Sequence, residues 1–179
     1  MDPILAAKRL PKLSERAMRE AVVAMSLART ANSSPPKLYT ITDDALIRFE
    51  RIVRRLVPDG VRPALLFAER NRVARELQTF ARGRLASRLF AVHRRDVVAL
   101  GAAARPFDAV VRGRRDGLYG VVLRRLERDG RRLDAIRAIR SAARAYRGEG
   151  LRGVLVYDFA SGSIRVLRCG VRAVELTAA

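Results

Sequence analysis

The chain has 179 residues, 49% of them hydrophobic, which is enough for one ordinary domain or for a compact domain with a helical extension. A single cysteine, Cys169, excludes an internal disulfide, and a single histidine, His93, argues against a zinc site or a Ser-His-Asp arrangement. No hydrophobic run approaches the ~20 residues of a membrane-spanning helix, and the N-terminus lacks the apolar core of a signal peptide, so we expect a cytoplasmic protein.

The charge of the chain is strongly positive. Lys and Arg total 37 against 18 Asp and Glu, and the resulting +19 is spread as +4 over residues 1–41, +6 over 42–101 and +9 over 102–179. Such a field favours polyanions through phosphate neutralisation and counterion release. Arginine supplies 34 of the cations, and its planar fork suits bidentate phosphate contacts. A GC-rich genome would also raise the Arg to Lys ratio, but it does not explain the imbalance of charge. We therefore expect nucleic acid as the partner, double-stranded DNA first, and no membrane.

Helices are predicted for the first half of the chain. Ser14 is a candidate N-cap for a helix that reaches about residue 29, and Thr42 for a second helix over residues 43–57. Pro63 opens a longer helical stretch that reaches about residue 87. The sequence thus predicts a helical extension over residues 1–62, a candidate for partner binding, and a core domain over 63–179.

Strand patterns dominate the second half. Apolar runs at 89–94 and 96–101 are predicted to pair across a tight turn, and runs at 107–112 and 118–125 flank a turn at Asp116-Gly117. A helix is predicted over 131–147, followed by a hairpin of strands 154–159 and 163–168. The helix carries four arginines at spacings of three, four and three, which places in one row Arg137, Arg140, Arg144 and Arg147.

This order of helix, three or four strands, helix and two strands resembles the αβββαβ core of the PD-(D/E)XK nuclease superfamily over about residues 69–168. The resemblance implies an α/β fold with a mixed central sheet flanked by helices, a restriction-endonuclease-like core. It also implies an aspartate at the start of one strand, which Asp108 matches in R-P-F-D-A-V-V-R, and a glutamate on the first helix, which Glu76 matches. The structural alternative for Asp108 is a strand-end residue paired with an arginine.

The superfamily's chemistry needs groups that this chain lacks at the expected positions. Two carboxylates hold Mg²⁺ beside the scissile phosphate, and a lysine orients the water or stabilises charge. Where Glu-x-Lys is implied the second strand has Val122, Leu123 and Arg124, and the last lysine of the chain is Lys37. Valine binds no metal, and arginine stays protonated and cannot act as a base. We therefore expect a degenerate nuclease fold without a cofactor and without catalysis.

Alternatives to this interpretation stay open. One is a Mg²⁺-dependent nuclease with a rearranged site of Glu76, Asp108 and Glu127. Another is a winged helix-turn-helix over residues 43–101, in which the helical segment 71–84 would enter the major groove and the strand pair would form the wing. That helix would bring near the bases Asn71, Arg72, Arg75 and Gln78, with Arg94 and Arg95 at the wing tip. A third is an RNA-associated or ribosome-associated protein.

The preferred hypothesis is a DNA-binding accessory component of genome-maintenance, mobile-element or defence assemblies, acting with other protein subunits or as a homodimer. Its contacts would be arginines on phosphates, although each basic face is also consistent with a merely solvated surface. The residues expected to bind nucleic acid are Arg72, Arg75, Arg94, Arg95, Arg124, Arg125, Arg137, Arg140, Arg144 and Arg147.

Overall fold

The computed structural model describes residues 3–28, 37–56, 62–90, 97–113, 117–126 and 151–168, together with positions 137, 139 and 141. The protein is of the α/β class, with an N-terminal helical region and a mixed five-stranded sheet, as the sequence predicted. Its contacts divide the chain into two compact units, residues 1–90 and residues 91–179. This division differs from the predicted boundary at residue 62, because the third helix packs against the first two.

The helical unit contains α1 (Pro3–Ala28), α2 (Leu38–Leu56), α3 (Pro63–Ala81) and α4 (Arg84–Leu89). Leu13 and Ala17 of α1 pack against Phe49 and Val53 of α2 in an apolar cluster that Leu66 of α3 joins. Helix α3 begins at a proline, whose missing N–H would have no partner in the first turn. The stretch predicted over 63–87 forms two helices, with residues 82 and 83 between them.

The predicted N-caps Ser14 and Thr42 both lie inside helices. Helix α2 begins at Leu38, and Thr42 Oγ1 donates to the Leu38 carbonyl oxygen at 3.0 Å. Ser14 is buried in the middle of α1, where its Oγ lies 2.6 Å from Glu69 Oε1 and 2.9 Å from the Leu10 carbonyl oxygen. The buried Glu69 therefore ties α3 to α1. The helices continue upstream of the cap residues because their apolar faces are buried by packing, which outweighs a local capping preference.

The sheet unit contains β1 (Val97–Leu100), β2 (Ala109–Arg112), β3 (Leu118–Arg124), β4 (Leu151–Asp158) and β5 (Ser163–Arg168), hydrogen-bonded in that order. Strands β1, β2 and β3 are antiparallel neighbours, β4 is parallel to β3, and β5 is antiparallel to β4. The parallel pair requires a crossover. Positions 137, 139 and 141 are helical in that connection, and Ile139 packs into the apolar cluster of the sheet with Val110 and Val154.

The four strand runs predicted at 107–112, 118–125, 154–159 and 163–168 are thus confirmed. The β4–β5 turn is also confirmed, and Gly162 adopts the left-handed φ of 69° that favours glycine there. Of the pairing predicted for 89–94 with 96–101, the start is wrong because Leu89 ends α4, and Val97–Leu100 forms a strand that pairs with β2. Residues 91–96 lie outside the described part of the chain.

Candidate functional site

Asp108 lies directly before β2, at the end of the β2–β3 pair, where the resemblance places the first aspartate of a nuclease site. Its backbone N–H donates to the Val121 oxygen at 2.9 Å, and its Oδ2 accepts from the Leu123 N–H at 2.8 Å. The two bonds go to the residues on either side of Val122 on the neighbouring strand. Asp108 is buried, with 7% of its surface exposed. Because β2 begins only at Ala109, its backbone offers no acceptor to the Leu123 N–H, and the Asp108 carboxylate supplies one instead. Asp108 therefore acts as a cap on the ladder of the sheet.

Val122 occupies the position at which the resemblance requires a metal-binding glutamate, and it is part of a packed core. It lies in an apolar cluster with Phe107, Val110, Leu126 and Val156. This side of the sheet beside Asp108 is therefore filled by hydrocarbon, in which a divalent cation would lose its water without gaining oxygen ligands.

Arg124 ends β3 and lies beside a second buried carboxylate, that of Asp158. The two residues are partners in the parallel β3–β4 register, so their side chains leave the sheet on the same side. Asp158 Oδ1 accepts from the N–H groups of Leu126 at 2.9 Å and Ala160 at 3.0 Å, and its Oδ2 accepts from Ser161 Oγ at 2.8 Å. Asp158 thus closes the end of β3 and the β4–β5 turn together.

Asp158 was missed by the sequence interpretation. The signal was present: an aspartate follows the apolar run V-L-V-Y and precedes the small residues of a turn, a position at which an Asp side chain binds nearby backbone N–H groups. What the local sequence does not contain is the register that brings this residue beside Arg124.

The carboxylates of the rearranged nuclease alternative belong to different parts of the chain. Glu76 is buried on α3 in the helical unit, Asp108 is in the sheet unit, and Glu127 lies outside the described residues. Across the described ranges, no group of three or more His, Cys, Asp or Glu side chains is arranged to hold a metal ion.

The predicted nucleic-acid contacts fall into three groups. Arg72, Arg75 and Arg137 are exposed, and Arg124 is partly exposed. Arg125 has only 9% of its surface exposed, which weighs against a phosphate contact there. The remaining predicted residues lie outside the described part of the chain: Arg94, Arg95, Arg140, Arg144 and Arg147.

Arg137 has a fixed orientation relative to the sheet. Ile139, two positions later on the same helix, is buried in the apolar cluster of the sheet. Residues two apart on a helix point about 200° apart around its axis, and accordingly Arg137 is exposed. The row that the sequence predicts for Arg137, Arg140 and Arg144 is described only at Arg137, because the other two residues lie outside the described part of the chain.

The structure contradicts the winged-helix alternative at the predicted turn between its two helices. Helix α3 runs without a break from Pro63 to Ala81, through the point near residue 71 at which a turn between two helices was required. Its proposed base-reading residues Asn71 and Gln78 are exposed on that continuous helix. Strand β1, the proposed second strand of the wing, belongs to the central sheet.

Comparison with protein-family models, curated proteins and solved structures finds no match to this chain. Within the described residues, no helix combines the length and the apolar character that crossing a membrane demands.

Proposed function

We propose that the protein binds double-stranded DNA through arginine contacts to the phosphate backbone, and that its sheet unit is a nuclease-like core without nuclease chemistry. The observation that supports DNA binding most strongly is the excess of basic residues, nearly all arginine, over acidic ones. If every acidic side chain neutralised one basic side chain, 19 cations would remain. The excess is shared, since residues 1–90 hold 18 basic against 9 acidic residues and residues 91–179 hold 19 against 9.

Several ion pairs within the described residues join side chains of one helix, whereas Arg70 and Glu50 pair between α3 and α2. Arg16 with Glu20 and Arg48 with Asp44 are pairs within one helix, each at spacing i,i+4. Such pairs contribute little to stability, roughly 0.3–0.5 kcal/mol. Selection for folding stability therefore gives no reason for so many arginines, whereas each phosphate contact releases a counterion and strengthens binding.

The proposed loss of chemistry is supported by Val122. Its place in the apolar core leaves Asp108 as a ladder cap and puts no oxygen ligand at the implied glutamate position. Arg124, one residue beyond the contact of Asp108 with Leu123, is a cation that binds phosphate but cannot take a proton from water. A phosphate bound near this end of the sheet would thus be held and not cleaved.

The binding proposal is tested by titrating a fluorescent duplex with the protein at several salt concentrations. If 6 to 10 phosphates are contacted, affinity should fall by about 10³ to 10⁵ between 50 and 200 mM salt. Duplexes of unrelated sequence should bind within about threefold of one another, since backbone contacts carry no base information. An affinity that hardly changes with salt would contradict the proposal.

The predicted row of Arg137, Arg140, Arg144 and Arg147 is tested as a DNA contact by the double variant Arg137→Gln with Arg144→Gln. Its salt slope should fall by about one unit per lost contact, equally for all duplex sequences. Arg16→Gln with Arg19→Gln removes the same charge from α1, where both residues pair with glutamates on their own helix, and is the matched control. Equal slopes for the two double variants would place the DNA surface elsewhere on the protein.

The absence of catalysis is tested with supercoiled and linear DNA in Mg²⁺ and in Mn²⁺. We expect no cleavage above a buffer control. Metal-dependent cleavage that disappears in both Asp108→Asn and Glu76→Gln would overturn the proposal in favour of the rearranged nuclease.

A further inference from the structure

The helical unit has an apolar groove that the DNA-binding proposal does not use. It lies between the C-terminal half of α2 and the N-terminal half of α3 and has a volume of about 590 Å³. Phe49 and Val53 form its floor, and Leu66 and Phe67 form one wall. Because Pro63, Leu66, Phe67 and Arg70 are spaced i, i+3, i+4 and i+7, a single face of α3 is turned toward the groove.

One apolar side chain of the groove is largely exposed to solvent. Phe67 of α3 lines the groove and is 63% exposed. Exposed apolar residues that are scattered singly are ordinary, but a large aromatic side chain at the wall of an apolar groove is typical of an interaction site. Burying such a side chain on binding removes apolar surface from water and contributes to affinity.

The groove is lined by two arginines and one glutamate, Glu50, which gives a net charge of +1. Arg54 of α2 and Arg70 of α3 line it, and Arg70 Nη2 lies 3.1 Å from Glu50 Oε1 across the two helices. Arg51, Arg55 and Arg62 are exposed and near the lining residues in sequence, while the first turn of α3 contains no acidic residue. The occupant of the groove must therefore match an apolar floor and a lining of net positive charge.

We propose that this groove docks an amphipathic helix of a partner protein whose apolar face is flanked by acidic residues. An amphipathic helix in an apolar groove is a common mode of recognition, and Phe and Arg are enriched in protein interfaces. A second copy of this chain is a poorer fit, because the helical unit itself carries 18 basic against 9 acidic residues. Duplex DNA is also a poorer fit, because its phosphates offer nothing to the apolar floor.

The test uses the full chain and three labelled synthetic peptides. The first places leucines at i, i+3, i+4 and i+7 with glutamates on the remaining positions, the second has the same residues in scrambled order, and the third has lysine in place of glutamate. Fluorescence anisotropy should show binding of the first peptide at least about tenfold tighter than the second. The scrambled peptide measures the general attraction of a negative peptide to a positive protein.

Two pairs of exposed positions locate the interaction. Phe67→Ser should weaken the first peptide by about tenfold, whereas Leu27→Ser, on α1 away from the groove with 54% exposure, should leave it within about twofold. The affinity for the first peptide should be about threefold lower in Arg54→Gln than in Arg55→Gln. Arg55→Gln removes the same charge at the next residue, which does not line the groove.

Four results would overturn the proposal. Equal binding of ordered and scrambled peptides, or equal affinities for Phe67→Ser and Leu27→Ser, would show that the groove takes no amphipathic helix. Self-association of the wild type in sedimentation that Phe67→Ser abolishes would make a second copy the occupant. Loss of oligonucleotide affinity in Phe67→Ser with unchanged peptide affinity would make the occupant nucleic acid.

Discussion

Replacing Asp108 by alanine separates a structural carboxylate from a catalytic one. In the structure the carboxylate accepts from the Leu123 N–H at 2.8 Å in a buried part of the sheet. Alanine keeps the strand but leaves that N–H without its acceptor, and water has poor access to it. We therefore expect Asp108→Ala to destabilise the sheet unit whether or not DNA is present.

The magnitude follows from the number of donors left without a partner. One buried backbone N–H without its acceptor costs about 1–3 kcal/mol. With a denaturant slope of about 2 kcal/mol per molar urea, a loss of about 2 kcal/mol lowers the unfolding midpoint by about 1 M. Asp108→Asn keeps a side-chain oxygen for Leu123 and exchanges a charged acceptor for a neutral one, so it should cost roughly half as much.

Asp158→Ala provides the internal comparison. It leaves two backbone N–H groups, those of Leu126 and Ala160, without their acceptor, where Asp108→Ala leaves that of Leu123. It should therefore be the more destabilising of the two alanine variants. Urea unfolding followed by far-ultraviolet circular dichroism and tyrosine fluorescence measures all three variants. An Asp108→Ala midpoint equal to that of the wild type would show that the capping argument is wrong.

Three further predictions concern packing, the buried Ser14 and metal ions. A Cβ at Gly120 would lie 2.8–2.9 Å from three ring atoms of the buried Phe107, so Gly120→Ala should cost about 1–3 kcal/mol in urea unfolding. Gly117→Ala should cost clearly less, because the three atoms nearest to its Cβ belong to the exposed, flexible side chain of Arg152. Equal costs for the two variants would contradict the packing argument. Ser14→Ala removes the hydroxyl 2.6 Å from Glu69 Oε1 and should lower the free energy of unfolding of the helical unit by about 1–3 kcal/mol. An unchanged urea midpoint would show that this hydrogen bond adds nothing to stability. Because Val122 offers no ligand beside Asp108, EDTA and millimolar Mg²⁺ should give the same melting temperature within about 1 °C, whereas a rise of several degrees in Mg²⁺ would reveal a site that binds the folded state.

Much of the sheet could be predicted from the sequence because its determinants are local. Strands β2 to β5 are short runs rich in valine, leucine and isoleucine that are bounded by turn residues, and Gly162 marks the β4–β5 turn. The missing Glu-x-Lys is equally local, since it is read from three consecutive positions. The positive charge is a property of composition, and no arrangement of the chain can remove it.

What only the tertiary structure decided depends on contacts between distant residues. Strand β1 pairs with β2, because pairing follows the register and burial of the whole sheet and not the length of one turn. Ser14 meets Glu69 across 55 positions, and this packing overrides the local preference of serine to begin a helix. In the same way Arg124 and Asp158 become neighbours only because a crossover makes β4 parallel to β3. Local propensity therefore determined which segments form strands and helices, and the burial of their faces determined which residues meet at the site.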